Sequence, residues 1–397
     1  MTSEWRTIRA ADFIDFNPRL SLKKGDIATK VAMDKLKPFT KKIPETEKAE
    51  FNGGAKFCNG DTVMARITPC LENGKTAYVD MLDDGEIGFG STEFIVMRAK
   101  TGISDPQFVY YTAINPVFRN VAIKSMVGSS GRQRVQQSVL EELELSVPDL
   151  DEQRRIGDFL ARIDEKIALN DRINDNLMQQ AVAIFKSWFV EYSPFDGIAP
   201  KEWKTVNLEK ITALICRGIA PKYSNNSNQT VINQKCIRDH MIDLSQARTH
   251  TPKVINEKWL RFGDLLINST GDGTLGRTAQ VWFQPQNITV DSHVTIVRPA
   301  KENLIFYIGL WGILHEREIE CLHTGSTGQT ELPKERVKAL ELHLPDNGTL
   351  DRFNTLIAPM AAAIVSKQNE NNKLATLRDA LLPKLMSGEI DVSAVQL

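Results

Sequence analysis

The side chains of this 397-residue chain that invite a chemical reading are clustered bases and amides. From Val117 to Val135 there are Arg119, Lys124, Arg132 and Arg134, and no acid. Ser129, Ser130 and Gln133 lie among them in a Gly-Ser loop. Lysine and arginine suit phosphates; arginine, lysine, asparagine and glutamine suit base edges. Arg66, Asn73 and Lys75 are secondary candidates. A later cluster holds Lys222, Tyr223, Asn225, Asn226, Asn228 and Gln229, then Asn233, Gln234, Lys235, Arg238 and His240, then Arg248, His250 and Lys253. Two blander readings stand beside these: the Gly-Ser loop caps a helix starting near Val135, and the later cluster is a flexible polar loop.

Catalytic patterns are missing. Gly271, Gly273 and Gly276 spell GxGxxG, but no helical pattern follows, so the string reads as a turn. No phosphate loop of the GxxxxGK[ST] type occurs. Glu45-Thr46-Glu47-Lys48 reads as a solvated charge run. The six histidines are scattered, as are five cysteines without a CxxC pair, which points to reduced thiols. Cys321 and His323 are close, but two candidate ligands do not make a four-ligand metal site.

Net charge is −1, so any attraction to phosphates must come from local patches. The first fifty-six residues are lysine-rich. No apolar run approaches the ~20 residues of a membrane helix, and MTSEWRTIRAADF lacks the features of a signal peptide. A cytoplasmic location, with no membrane partner, is the expectation.

The elements that must position these residues come in duplicate. Glu4-Trp5-Arg6-Thr7 recurs as Glu202-Trp203-Lys204-Thr205. Gly60-Asp61 recurs as Gly263-Asp264, Asn73-Gly74-Lys75-Thr76 as Leu275-Gly276-Arg277-Thr278, and EFIVMR (93–98) as HVTIVR (293–298). GSSGRQRVQQSVLEELELSVPD (128–149) matches GSTGQTELPKERVKALELHLPD (325–346) without a gap. The match adds Arg277 as a candidate, together with Ser326, Thr327 and Gln329 in a loop that has lost its arginines. Alternating or apolar runs predict strands at 76–81, 93–98 and 143–147, and again at 279–283, 293–298 and 340–344. Helix-like runs intervene at 106–115 and 303–314. Each repeat is therefore an α+β globule.

Each globule gives way to a long helix. Ile156, Leu160, Ile163, Ile167, Asn170, Asn174, Leu177, Ala181, Ile184 and Trp188 follow a heptad spacing. Phe353, Ile357, Met360, Ile364, Lys367, Asn371, Leu374, Arg378, Leu381 and Leu385 follow it again. Both seams are polar in the middle, which favours antiparallel pairing as a coiled coil. The apolar ends, Phe185, Trp188 and Phe189 in one helix and Leu382, Leu385 and Met386 in the other, exceed the needs of the seam and are expected to dock partner subunits.

The run GSSGRQRVQQSVLEELELSVPDLDEQRRIGDFLARIDEKI resembles the segment that closes a recognition domain and opens the spacer helix in type I restriction–modification specificity subunits. RGIAPKY (217–223) and INQKCIRD (232–239) resemble that family's recognition domains. The second copy keeps GSTG but lacks the Glu-Gln pair of the first. The resemblance implies an α+β chain of two pseudo-symmetric target-recognition domains, 1–150 and 193–347. A central spacer helix spans 151–192, and a C-terminal spacer helix and tail span 348–397. It implies a subunit without catalysis that reads a bipartite target on double-stranded DNA. It further implies two methyltransferase partners using S-adenosylmethionine and two ATP-driven restriction partners; this chain itself binds no cofactor. Consistent with that division, no Asn/Asp-Pro-Pro-Tyr/Phe motif for a flipped adenine is present. A coiled-coil scaffold whose globules bind protein is the alternative.

Overall fold

Repeated strands should build repeated sheets, and the computed structural model of the chain, which describes residues 5–129, 131–325 and 330–394, contains them. The chain divides into two units: Met1–Asn170 with Asn369–Leu397, and Asp171–Gln368. The division runs through both long helices.

In the first unit, four antiparallel strands stand in the order Ile14–Phe16, Phe94–Ala99, Thr62–Ala65, Thr76–Tyr78. Arg6–Arg9 pairs antiparallel with Glu144–Val147. A second sheet runs Glu47–Glu50, Ile27–Val31, Gly88–Gly90, Ala55–Phe57, with the middle pair parallel. The helix Pro106–Ile114 packs on the first sheet and buries Phe108, Val109, Tyr110 and Tyr111 among Met64, Ile95 and Met97. Its start is explained locally. Pro106 is pre-set for a first helical position, and Asp105 Oδ1 accepts the Phe108 N–H at 3.0 Å. Asn115 and Pro116 start the next helix, Pro116–Lys124, in the same way.

The second unit repeats the frame. Its four-stranded sheet is ordered Thr212–Arg217, Val294–Pro299, Leu265–Asn268, Thr278–Gln280. Lys204–Asn207 pairs with Glu341–Leu344, Thr230–Ile232 lies parallel to Ile288–Val290, and the helix Ile305–Leu314 covers the sheet. One ion pair is copied with it. Arg98 donates to both oxygens of Asp61 at 2.7 Å, while Arg298 donates to both of Asp264 at 2.8 and 2.7 Å. Each aspartate also accepts a backbone N–H at 2.8 Å, from Cys58 and Arg261. Such bidentate pairs hold geometry as well as charge. The repeated Gly-Asp is thus the turn that delivers a buried carboxylate to the arginine ending the repeated strand.

The long helices are Leu150–Phe189 and Asn347–Leu385. Asp149 and Asp346 cap them, accepting from the N–H of Glu152 at 2.9 Å and of Thr349 at 3.0 Å. Gln153 is fully buried; it accepts the Asp105 N–H at 3.0 Å and donates to the carbonyls of Ile103 and Pro148 at 3.2 and 3.0 Å. Gly157 lets the helix approach closely, since a Cβ there would meet Gln107 Cβ at 2.9 Å.

Every position of both expected seams is buried or half-buried. Within the first unit, Asn170 Nδ2 donates to Asn371 Oδ1 at 2.8 Å and Arg378 Nη1 to Asp164 Oδ1 at 2.7 Å, so contacts ascend one helix as they descend the other. The buried Arg378–Asp164 pair extends to Tyr111, whose hydroxyl donates to Asp164 at 2.6 Å. Within the second unit, Phe185 and Phe189 pack on Phe353 with centroids 6.0 and 4.8 Å apart.

This packing corrects the docking expectation. Phe185 and Phe189 are buried and Trp188 is half-buried in the core of the second unit. Leu382, Leu385 and Met386 are buried in the core of the first. The apolar surplus at the helix ends is consumed by the globules onto which the ends fold. No described helix is long and apolar enough to cross a membrane, and the five cysteines are free.

Candidate nucleic-acid interface

In the first unit the Gly-Ser loop is stitched to the end of the strand Thr62–Ala65. Thr68 and Gln133 exchange two hydrogen bonds at 3.0 Å, and the Val135 N–H donates to the Arg66 carbonyl at 2.8 Å. Gly128, at φ +135°, has no room for a side chain; a Cβ would lie 2.9 Å from the Arg132 carbonyl. The helix Gln137–Glu141 begins without a side-chain cap, so Ser129 does not serve as one. Ser130 lies outside the described residues, as do Ser326, Thr327 and Gln329.

The structure sorts the basic candidates by what they already hold. Lys124 and Arg132 are exposed and carry no carboxylate partner among the described residues. Ser129 and Asn73 are exposed too. Arg134 grips Glu93 through three contacts of 2.6–3.0 Å and holds that carboxyl below its usual range. Arg119 donates to the carbonyls of Leu71 and Glu72 at 3.2 and 2.6 Å, fixing the turn that carries Asn73; burial lowers its pKa. Lys75 donates to the Met33 carbonyl at 2.8 Å, and Arg66 is half-buried behind the loop. Arg66, Lys75, Arg119 and Gln133 therefore shape this surface, which Lys124, Arg132, Ser129 and Asn73 present to solvent.

In the second unit the polar cluster forms two linked arms. Gln229 bonds both backbone groups of Lys253, at 3.1 and 2.9 Å, and Tyr223 bridges His250 through the backbone. Lys222, Asn225, Asn226, Asn228, Arg248 and Lys253 are exposed on these arms. Arg248 stacks over Tyr223 with its guanidinium carbon 3.6 Å from the ring centroid. Lys235 and Arg238 are exposed on the neighbouring turn, which Asn233 holds by accepting the Lys235 N–H at 2.8 Å. Gln234 is half-buried; its carbonyl accepts from Asn268 at 3.0 Å. Arg277 spends a donor on the Gly273 carbonyl at 2.8 Å, inside the turn of Gly271, Gly273 and Gly276.

His250 is a correction. It is 1% exposed, so its ring belongs to the packing of the arm and does not reach a base; burial also lowers its pKa. His240 sits 3.3 Å from Glu316, which raises its pKa and ties the turn of Lys235 and Arg238 to the helix Glu316–Cys321.

Phe39 was missed by the sequence reading. It is 57% exposed, beside the Asn73-Gly74 turn, with the Arg119 guanidinium 5.2 Å from its ring centroid. The available signal was an aromatic set among lysines in Lys35-Leu36-Lys37-Pro38-Phe39-Thr40-Lys41-Lys42. The described residues contain no group of three or more His, Cys, Asp or Glu that could hold a metal ion.

Residues 3–179 match the family model of the type I restriction modification DNA specificity domain. The chain is 26% identical over 294 residues to the type I restriction enzyme MjaIX specificity subunit of Methanocaldococcus jannaschii, covering 68% of this chain and 66% of that one. It is 23% identical over 406 residues to the HindI specificity subunit of Haemophilus influenzae, covering 83% and 86%. A crystal structure of a type I restriction-modification system S subunit from M. genitalium shares the fold, with a TM-score of 0.55 at 15% identity over 96% of both chains.

Proposed function

We propose that this chain, whose residues 3–179 match the family model of the type I restriction modification DNA specificity domain, is the DNA-reading subunit of a type I complex. Its role in DNA sequence specificity rests on that match and on relatives that are themselves specificity subunits. The observation that carries the reading further is a duplicated frame with unduplicated polar loops. Both units share the strand order of one four-stranded sheet and the same Arg-Asp pair with its buried carboxylate. Yet one presents Lys124, Arg132 and Asn73, and the other Lys222, Asn225, Asn228, Lys235, Arg238 and Lys253. Two equal frames with unequal reading surfaces suit a target of two unequal halves.

In this reading each unit recognises one half of a split sequence on double-stranded DNA. Exposed lysines and arginines neutralise phosphates, while amides and remaining guanidinium groups reach base edges in the major groove. The two helices, 40 and 39 residues long, pair as an antiparallel coiled coil and set the gap between the halves. At 1.5 Å per residue each spans ~60 Å, against ~34 Å for one turn of DNA. The methyl transfer belongs to two methyltransferase subunits with S-adenosylmethionine, and ATP-driven cleavage to restriction subunits. This chain supplies the address.

The test is co-expression with the cognate methyltransferase subunit, followed by mapping of modified adenines in the host genome. A split, asymmetric motif is expected. A continuous motif, or none, would remove the reading.

A further inference from the structure

Only two aromatic side chains among the described residues are exposed, and each unit carries one: Phe39 at 57% and Tyr223 at 39%. Each is faced by an arginine, Arg119 at 5.2 Å from the Phe39 centroid and Arg248 at 3.6 Å from that of Tyr223. The two pairs are not sequence equivalents. Phe39 precedes the Asn73-Gly74 turn and leans on it, whereas Tyr223 leads the first polar arm. The same arrangement has been reached in each unit from different elements.

Neither ring is exposed by slackness. Phe39 sits at φ +54°, a backbone conformation costly for a bulky side chain. Its N–H donates to the Gly74 carbonyl at 3.0 Å. Its ring lies against Gly74 so closely that a Cβ there would be 2.6 Å from it. Strain and a tailored glycine thus hold a hydrocarbon ring out into water. Tyr223 is fixed by its backbone bridge to His250 and by Arg248. A ring held outward and backed by a cation, amid exposed Lys37 and Asn73 or Lys222 and Asn225, has the makings of a stacking platform for a nucleobase.

We propose that Phe39 and Tyr223, each with its arginine, stack on a base that is partly unstacked in the bound target, one at each half-site. The proposal rests on the DNA-reading function above and adds that the DNA is distorted where these rings meet it. Each base step so opened makes its own sequence contribution, because the cost of unstacking depends on the step.

The experiment uses the full-length chain in complex with its methyltransferase subunit, on a duplex containing the mapped target and on a scrambled duplex, over a range of salt. For Phe39→Leu and Phe39→Ala, affinity for the target is expected to fall about 5- to 150-fold, the range for loss of one base–aromatic stack. Phe39→Trp should stay within about threefold of the parent. The slope of log affinity against log salt should not change, since no phosphate contact is lost. Tyr223→Leu against Tyr223→Phe is the parallel pair, on a residue whose replacement leaves Phe39 and its strained turn untouched. Leucine variants that bind the target like the parent overturn the proposal while leaving the DNA-reading function intact. So does an equal loss on target and scrambled duplex. A parent complex without preference for the target overturns the DNA-reading function itself, and the proposal with it.

Discussion

The two units carry unlike side chains on like backbone. Arg134 in the first unit and Glu331 in the second occupy the same place, each bridging two neighbouring segments: Ile67 and Val127 for one, Thr270 and Thr324 for the other. The side chains have opposite charge, and each is answered locally, Arg134 by Glu93 and Glu331 by Arg217 at 3.0 Å. The backbone frame fixes where a side chain projects, and leaves its charge free to change so long as a partner changes with it. Residues so answered shape a surface; those without a carboxylate partner among the described residues, such as Lys124 and Arg132 against Lys235 and Arg238, are available to a ligand.

The frame itself is the first place to break the comparison. Asp264 is fully buried against an Arg298 that is itself buried, whereas Arg98, the partner of Asp61, is 27% exposed. Asp264→Ala leaves a buried guanidinium without its counter-charge and should cost about 3–5 kcal/mol. Asp61→Ala should cost distinctly less, because Arg98 can turn toward water. Urea midpoints of the two variants decide it; equal losses would mean that the copies bear equal loads.

A second contrast lies in the buried polar chain that only the first unit shows among its described residues. Lys41, 4% exposed, stands 5.0–5.4 Å from the rings of Tyr78, Tyr110 and Tyr111, and Tyr111 leads to Asp164 and Arg378. Burial lowers the Lys41 amine to about 8, against a smaller opposing pull from Asp164. The folded chain then gives up a proton that the unfolded chain keeps. Its contribution therefore rises between pH 8 and the ordinary lysine range, and is absent below. The gain is about 3 kcal/mol at most. Lys41→Met should lack this rise, so that the parent-minus-variant difference in stability climbs across pH 7.5–10; a flat difference, with the rise kept in the variant, would place the titration elsewhere.

Smaller effects sharpen the distinction between answered and unanswered charges. Arg132→Ala should reduce the salt slope of DNA binding by about 1, as loss of one phosphate contact does. Arg134→Ala should leave the slope nearly unchanged, because Glu93 already takes that guanidinium. Asn371→Leu removes its hydrogen bonds with Asn170 and the Ile167 carbonyl and takes this partner from the buried Asn170 amide, so it is expected to cost about 1–3 kcal/mol. Differential scanning calorimetry checks that size.

The frame was readable in advance because its determinants are local or strictly repeated. Gly60-Asp61 and Gly263-Asp264 mark the same turn, and the strands expected at 93–98 and 293–298 form at Phe94–Ala99 and Val294–Pro299. The heptad spacing found both helices, and Asn170 meets Asn371. What escaped depends on contacts far apart in sequence. Spacing placed Arg378 in a seam but could not show its partner Asp164, more than two hundred residues earlier. Phe185 and Leu385 read as spare apolar surface because spacing does not show which globule a helix end enters. His250 sat in a polar string and proved buried. Phe39 gave no sign of its exposure, since exposure is a property of the fold.

The central claim is that two alike frames read two unlike halves of one target. It is tested most directly by mapping modified adenines in cells carrying the cognate methyltransferase subunit with either the parent chain or Lys235→Ala/Arg238→Ala. Both side chains are exposed and lie within the second unit. The expected result is a bipartite motif in which the double variant relaxes or weakens one half and leaves the other half and the spacing unchanged. Relaxation of both halves together, or an unbroken motif, would contradict it.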